Sequence, residues 1–113
     1  MNTKIVSFGE ILLRLSKRDY QRLTQGHRML GNYGGSEANT AIPLACLGNN
    51  VEYVTRLPYS AMGEAALMHL REYGLNVNHV VRGGERLGTY YFEEAVAMRN
   101  SHVIYDRKNS AMY

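Results

Sequence analysis

Residues 31–50 read GNYGGSEANTAIPLACLGNN, a glycine-rich turn followed directly by an apolar stretch of helical character. The turn ends with the pair Gly34-Gly35. Adjacent glycines let the backbone take positive φ angles and approach a ligand closely. A helix N-terminus adds free N–H groups and a partial positive charge. The segment predicts a helix over about residues 36–47, stopped by Gly48, whose first turn suits a hydroxyl-rich or anionic ligand.

Two interpretations of this turn are open on the residues alone. In the first, it is a tight turn before a helix that Ser36 caps, with no further role. In the second, Glu37 offers a ligand an acceptor, and Asn39 offers both a donor and an acceptor. The turn is not a Walker loop, because the Gly-Lys-Ser/Thr ending is missing, and it is not the dinucleotide fingerprint G-x-G-x-x-G.

Strands and helices are predicted to alternate along the chain and to end in a hairpin. Strands are predicted at KIVSFGE, ILLRLS, HRMLGNYGG, VEYVTRL and NVNHVV. A second helix is predicted over SAMGEAALMHLREYG, with Ser60 as its N-cap and an apolar face at Met62, Ala66, Leu70 and Tyr73. GTYYFEEAV and SHVIYDR are predicted to form an antiparallel hairpin, separate from the parallel sheet that the alternation implies.

The composition indicates one globular domain without nucleic-acid or membrane partners. The net charge of +3 comes from scattered cations with no dense basic block, which disfavours nucleic acid. The N-terminal stretch lacks a signal-peptide pattern, and no apolar run is long enough to span a membrane. The single cysteine, Cys46, is expected to be buried and inert, and a reducing cytoplasm is expected. The four histidines have no metal-site spacing, and His69 is expected at the surface.

The stretch GGSEANTAIPLACLG resembles the first signature of the ribokinase-like (PfkB) carbohydrate kinases, a Gly-Gly-x-x-x-Asn-x-Ala helix start. The flanking segments KIVSFGE and VEYVTRLPYSAMGEAALMHLREYGLNV match the same family order. The glutamate after Gly-Gly-Ser, together with GTYYF and VIYDRKNSA, is most similar to 2-keto-3-deoxygluconate kinases. One loop departs from the family pattern Gly-x-Asp-x-x-Gly, because Pro58 and Ser60 replace its glycine and aspartate.

The resemblance implies a ribokinase-like α/β fold, a three-layer αβα domain with a parallel sheet and an antiparallel β lid. It covers residues 1–113 as the N-terminal, sugar-binding portion and lid. It implies transfer of the ATP γ-phosphate to a sugar hydroxyl with ATP and Mg²⁺ as cofactors. Sugar contacts are expected at a set of seven residues: Gly34, Gly35, Asn39, Tyr90, Tyr105, Arg107 and Glu10. The catalytic base and the ATP site are expected beyond residue 113, so residues 1–113 alone are expected to be inactive.

The hairpin supports an acidic sugar on physical grounds. Because side chains alternate along a strand, Gly88, Tyr90 and Phe92 share one face, as do Val103, Tyr105 and Arg107 on the partner strand. Two tyrosines can stack on a sugar, and an arginine fork binds a carboxylate. The alternative is an exposed hairpin held by aromatic pairs, with Arg107 solvated or paired to Glu93 or Glu94.

Three functions remain open on the sequence. The first is a kinase for 2-keto-3-deoxygluconate, and the second is a kinase for a neutral sugar such as fructose or ribose. The third is a non-catalytic α/β module that binds a ligand or dimerises. The lid face opposite the tyrosines, with Tyr91 and Ile104, is apolar, and an apolar sheet face predicts a homodimer through the lids.

Overall fold

The structure is a computed structural model that describes residues 3–113 as eight strands and two helices. In chain order they are β1 (Lys4–Phe8), β2 (Leu12–Ser16), β3 (Leu30–Gly34), α1 (Ser36–Cys46), β4 (Asn50–Val54), β5 (Arg56–Leu57), α2 (Ala61–Glu72), β6 (Val81–Arg82), β7 (Thr89–Glu93) and β8 (His102–Asp106). The predicted alternation of strands and helices is confirmed, and so is the closing hairpin, β7–β8.

Two parallel strand pairs, β1–β4 and β5–β6, lie on the side of the molecule that the helices cover. The predicted strand over NVNHVV, residues 76–81, is wrong for most of its length. Asn76 makes a single parallel bridge to Glu52, and regular pairing resumes only at β6. The reason is local, since the Asn76 side chain accepts a hydrogen bond from the Asn78 N–H at 2.9 Å and closes a turn.

The hairpin belongs to a mixed four-stranded sheet in the order β3-β2-β7-β8, called the lid sheet below. β2 pairs antiparallel with β3 and parallel with β7. The hairpin is thus separate from the parallel pairs β1–β4 and β5–β6, as predicted, but the sequence did not indicate that β2 and β3 join it. The chain leaves the parallel sheet between β1 and β2, and β7 then covers the second edge of β2, which would otherwise present unpaired N–H and C=O groups.

Helix α1 begins without a side-chain cap. Gly35 is the N-cap at φ 114°, and no side chain bonds the first turn. Ser36 is already helical, and its carbonyl accepts the Thr40 hydroxyl at 3.1 Å, so the prediction that Ser36 caps the helix is wrong. The prediction for α2 is confirmed, because the Ser60 side chain accepts from the Gly63 N–H at 3.2 Å.

Three further expectations, on the end of α1, on Cys46 and on the apolar face of α2, are confirmed only in part. Gly48 follows α1 at φ 93°, which confirms it as the helix stop. Cys46 is exposed rather than buried, although its neighbours Leu44 and Ala45 pack against the core. Ala66 and Leu70 are buried as predicted, but Met62 and Tyr73 are 46% and 42% exposed.

The buried face of α2 instead uses Gly63 and Leu67 with Ala66 and Leu70. A Cβ at Gly63 would collide with the Pro58 carbonyl, so the helix approaches this loop more closely than a larger side chain allows. Within residues 3–113, neither helix combines the length and apolar character that a membrane crossing needs.

Candidate functional site

A cavity of about 750 Å³ lies between the lid sheet and the start of α1. Six of the seven predicted sugar-contact residues line it: Glu10, Gly35, Asn39, Tyr90, Tyr105 and Arg107. The seventh, Gly34, is buried directly behind Tyr90. The structure thus brings together residues that are as far apart in sequence as Glu10 and Arg107.

The floor of the cavity is formed where β3 passes into α1. A Cβ at Gly34 would collide with the Tyr90 hydroxyl, and one at Gly35 would collide with the Glu10 carbonyl oxygen. Gly35 also has a positive φ, which side chains rarely adopt. Both glycines are therefore required by close approach. The first turn of α1, which has no side-chain cap, borders the cavity from Gly35 to Asn39.

The aromatic wall comes from the lid sheet. Tyr90 lies opposite Tyr105 in the β7–β8 register, and their ring centroids are 5.6 Å apart. Phe92 lies opposite Val103 on the same face. The predicted sharing of a face by these side chains is confirmed, and this face is the one that borders the cavity.

Arg107 supplies a cation to this wall. Its guanidinium lies 4.9 Å from the centroid of the Tyr105 ring and 4.8 Å from that of Tyr113. Its Nη1 is 3.6 Å from Glu10 Oε1, which is an ion-pair distance but too long for a hydrogen bond. The predicted alternative of a pair with Glu93 is not observed, because Glu93 faces Arg99 at 3.8 Å.

Glu10 is the acceptor at the centre of the site. Its side chain is only 11% exposed, and its Oε2 accepts a hydrogen bond from Ser110 Oγ at 2.6 Å. Its Oε1 is buried without a hydrogen-bond partner among the described residues. A buried carboxyl oxygen in this state favours a ligand that brings a hydroxyl donor.

Several residues of the site were missed by sequence reasoning. Arg14 on β2 lines the cavity 5.9 Å from the Phe92 ring, and strand alternation from Leu12 could have placed it there. Tyr113, at the other end of the chain, also borders the cavity. Ser110 lies within the segment VIYDRKNSA, but nothing in the sequence paired it with Glu10, which lies 100 positions away.

Tyr53 is fully buried in the core, and its hydroxyl finds no partner among residues 3–113. Burial raises the pKa of Tyr53, and the nearby carboxylates of Glu37 and Glu10 add to the rise. The Tyr53 phenol therefore stays neutral and does not serve as a base. It presents a dipole near the carboxylates of Glu10 and Glu37.

His69 is half-buried, so the expectation of a surface residue is wrong. Its ring packs between Tyr33 and Tyr73, with centroid distances of 4.7 and 5.0 Å. Burial lowers the pKa of His69, and Glu72 opposes the shift. His69 connects α2 to β3, which carries Gly34 into the site.

Among residues 3–113, no group of three or more His, Cys, Asp or Glu side chains is arranged to hold a metal ion. The residues that line the cavity offer a ligand two carboxylates, Glu10 and Glu37, together with arginines and aromatic rings. The arrangement suits a polyhydroxylated ligand with an acidic group rather than a metal complex.

A model of the family described as pfkB family carbohydrate kinase matches residues 2–113. The chain belongs to this family. Among curated pfkB relatives, it is 33% identical over 114 residues to 2-dehydro-3-deoxygalactonokinase of Haloferax volcanii, covering 99% of this chain. It is 28% identical over 112 residues to 2-dehydro-3-deoxygluconokinase of Bacillus subtilis, covering 98% of this chain. The chain spans 35% of the length of each relative, about a third.

Solved pfkB structures confirm the ribokinase-like α/β fold. The 2-dehydro-3-deoxygluconokinase of Thermotoga maritima superposes with a TM-score of 0.95 at 44% identity, covering 98% of this chain and 34% of that one. A pfkB carbohydrate kinase of Listeria grayi superposes at 0.93 with 35% identity, covering 97% of this chain and 34% of that one. The similarity to 2-keto-3-deoxygluconate kinases expected from the sequence is confirmed, since 2-dehydro and 2-keto name the same group.

Proposed function

We propose that this protein transfers the ATP γ-phosphate to a hydroxyl of 2-keto-3-deoxygluconate, and that residues 1–113 form its sugar-binding and lid part. The observation that carries the proposal is the pairing, in one cavity, of an unsatisfied carboxylate oxygen on Glu10 with the guanidinium of Arg107. The first can accept a sugar hydroxyl, and the second can hold a sugar carboxylate.

Each predicted contact has a distinct role in this proposal. Gly34 and Gly35 admit the sugar to the helix start, and Asn39 orients a hydroxyl as donor and acceptor. Tyr90 and Tyr105 wall the ring or chain of the sugar. Binding in this way converts a bimolecular encounter into an oriented complex, which is the main contribution that a protein makes to phosphoryl transfer.

An acidic substrate is favoured over fructose or ribose by Arg107. In the free site its charge is only partly balanced, because Glu10 lies 3.6 Å away without a hydrogen bond. A substrate carboxylate can take both prongs of the guanidinium, while a neutral sugar can offer only hydroxyls. The names of the similar kinases, 2-dehydro-3-deoxygluconokinase and 2-dehydro-3-deoxygalactonokinase, agree with this choice.

The base and the nucleotide site are not assigned to these residues. The cavity contains no Gly-Lys-Ser/Thr loop, and no metal cluster exists within the described part of the chain. ATP would supply the phosphoryl group and Mg²⁺ would neutralise its charge, and we propose that their site lies beyond residue 113. Residues 1–113 alone are accordingly proposed to bind the sugar without phosphorylating it, in a cytoplasmic protein.

A homodimer through the lid sheets is a further part of the proposal. Ile104 of β8 is 45% exposed on the face that turns away from the cavity, and Tyr91 lies opposite it in the register. A partly exposed apolar cross-strand pair of this kind is stabilised when a second copy covers it. Sedimentation of the wild-type protein beside Ile104→Lys tests this, since the charge should shift a dimer to a monomer.

The kinase proposal is tested by calorimetric titration of 2-keto-3-deoxygluconate, fructose and ribose, followed by phosphorylation assays on the full-length gene product. Selective binding and phosphorylation of the acid support the proposal. Preference for a neutral sugar would move the function to the fructose or ribose alternative. Absence of binding to all three, in a folded protein that dimerises, would favour a non-catalytic module.

A further inference from the structure

We infer that Ser110 is a positioning residue of the sugar site, which holds Glu10 in the orientation needed to accept a substrate hydroxyl. The inference rests on the function proposed above and assigns the segment 107–113 a part in it. Ser110 is 2% exposed, and its Oγ donates to Glu10 Oε2 at 2.6 Å. A hydrogen bond of this length to a carboxylate is short and charge-assisted.

The Glu10 carboxylate is enclosed on three sides. Ser110 holds Oε2, and the Arg107 guanidinium lies 3.6 Å from Oε1. At the start of β7, Gly88 leaves no space, since a Cβ there would lie 2.7 Å from Oε2. The carboxylate is therefore fixed in rotation, and Oε1 is the oxygen left without a hydrogen bond from residues 3–113.

The protein holds Ser110 in place without help from a ligand. The next residue, Ala111, donates its N–H to the Arg86 carbonyl at 2.8 Å. Gly84 has a φ of +86° and packs tightly on Ala111. A Cβ added to Gly84 would lie 2.6 Å from the Ala111 Cα. Arg86 in turn pairs with Asp106 at 2.8 Å, which ties this loop to the end of β8.

This arrangement has a consequence that packing alone would not have. Without the Ser110 hydroxyl, Oε2 loses its hydrogen bond in a buried place, and the carboxylate is free to turn toward Arg107. A closer Glu10–Arg107 pair would withdraw an acceptor and a cation from the cavity together. Substrate binding should then weaken, while the chemical step, which uses groups elsewhere, should change little.

The test is steady-state kinetics of the full-length gene product with 2-keto-3-deoxygluconate and ATP. Ser110→Ala is expected to raise the sugar KM about 10- to 100-fold, the size of effect that a misplaced binding group produces. The kcat should change far less, and the KM for ATP should not change. Ser101→Ala, which removes an exposed hydroxyl in the β7–β8 connection, is the matched control and should behave as wild type.

A double-mutant cycle separates positioning from general loss of stability. If Ser110 acts through Glu10, then Ser110→Ala should add nothing to the KM of Glu10→Gln. An additive effect, or a wild-type KM in Ser110→Ala, overturns the inference. A wild-type protein that neither binds nor phosphorylates the sugar overturns the proposed function instead, so that the two failures are distinct.

Discussion

Replacement of Arg107 by alanine should separate an acid-sugar site from a neutral-sugar site. The side chain is 36% exposed, so its charge is partly desolvated in the free protein and more so beneath a bound ligand. Removing one partner of a buried charged pair weakens binding by about 2–5 kcal/mol. The partial exposure of Arg107 places the expected loss near the lower end, about 2–3 kcal/mol, or roughly 30- to 150-fold in Kd.

The same change should alter folding stability much less. The Arg107–Glu10 contact is 3.6 Å long without a hydrogen bond, and half-exposed ion pairs contribute at most about 1 kcal/mol. Stacking on Tyr105 and Tyr113 adds about 0.5–1 kcal/mol at such a site. A loss of binding far larger than the loss of stability would therefore report on the ligand rather than on the fold.

The assay is calorimetric titration of wild type, Arg107→Ala and Arg107→Lys with 2-keto-3-deoxygluconate and with fructose. Lysine keeps the charge but lacks the fork, so its affinity for the acid should lie between those of the other two. Arg71→Ala, an exposed arginine on α2, is the matched control and should bind as wild type. Equal losses for the acid and for fructose, or no loss for the acid, would refute the role given to Arg107.

Three further changes test the scaffold of the site. Gly35→Ala should lower the free energy of unfolding by about 3 kcal/mol, because it adds a collision with Glu10 to the strain of positive φ; Gly74→Ala, at φ +81° in open space, should lose only about 1 kcal/mol in the same urea titration. Tyr53→Phe should raise the free energy of unfolding by about 1 kcal/mol, since it removes a buried hydroxyl without a partner; a decrease would show that the hydroxyl is bonded in solution. Burial lowers the pKa of His69 below its ordinary value of 6.5, so the stability it contributes is present above pH 6.5 and is lost as pH falls through the lowered pKa; His69→Phe should flatten that part of the pH profile, and an unchanged profile would contradict the assignment.

Features of the fold with a local cause were predictable from the sequence. The Gly34-Gly35 turn, the helix after it and the Ser60 cap each depend on a few neighbouring residues. The faces of the two hairpin strands also follow from alternation, which groups Tyr90 with Phe92 and Tyr105 with Val103. These predictions held because backbone conformation and strand period are set within a few residues.

Features that depend on distant contacts were not predictable. The pairing of β7 with β2 joins residues about 75 positions apart, and no periodicity within either strand indicates it. Ser36 has the residue type of a cap, but close packing of Gly35 on the Glu10 carbonyl places the cap one residue earlier. The membership of Ser110 in the site is of the same kind, since only the folded chain brings it to Glu10.

The site is built from features that lower the stability of the fold, and this bears on function. Helix α1 begins without a side-chain cap, and Glu10 Oε1 is buried without a hydrogen-bond partner among residues 3–113. Both are unfavourable in an empty protein, and both are relieved by a ligand that brings hydroxyl groups to the helix start. A ligand bound in this way stabilises the native state by mass action, by an amount that rises with the logarithm of its concentration divided by its Kd. The cavity is thus better explained as a binding site with unsatisfied polar groups than as a packing defect. A packing defect would not bring a carboxylate, an arginine and open helix amides together at one place.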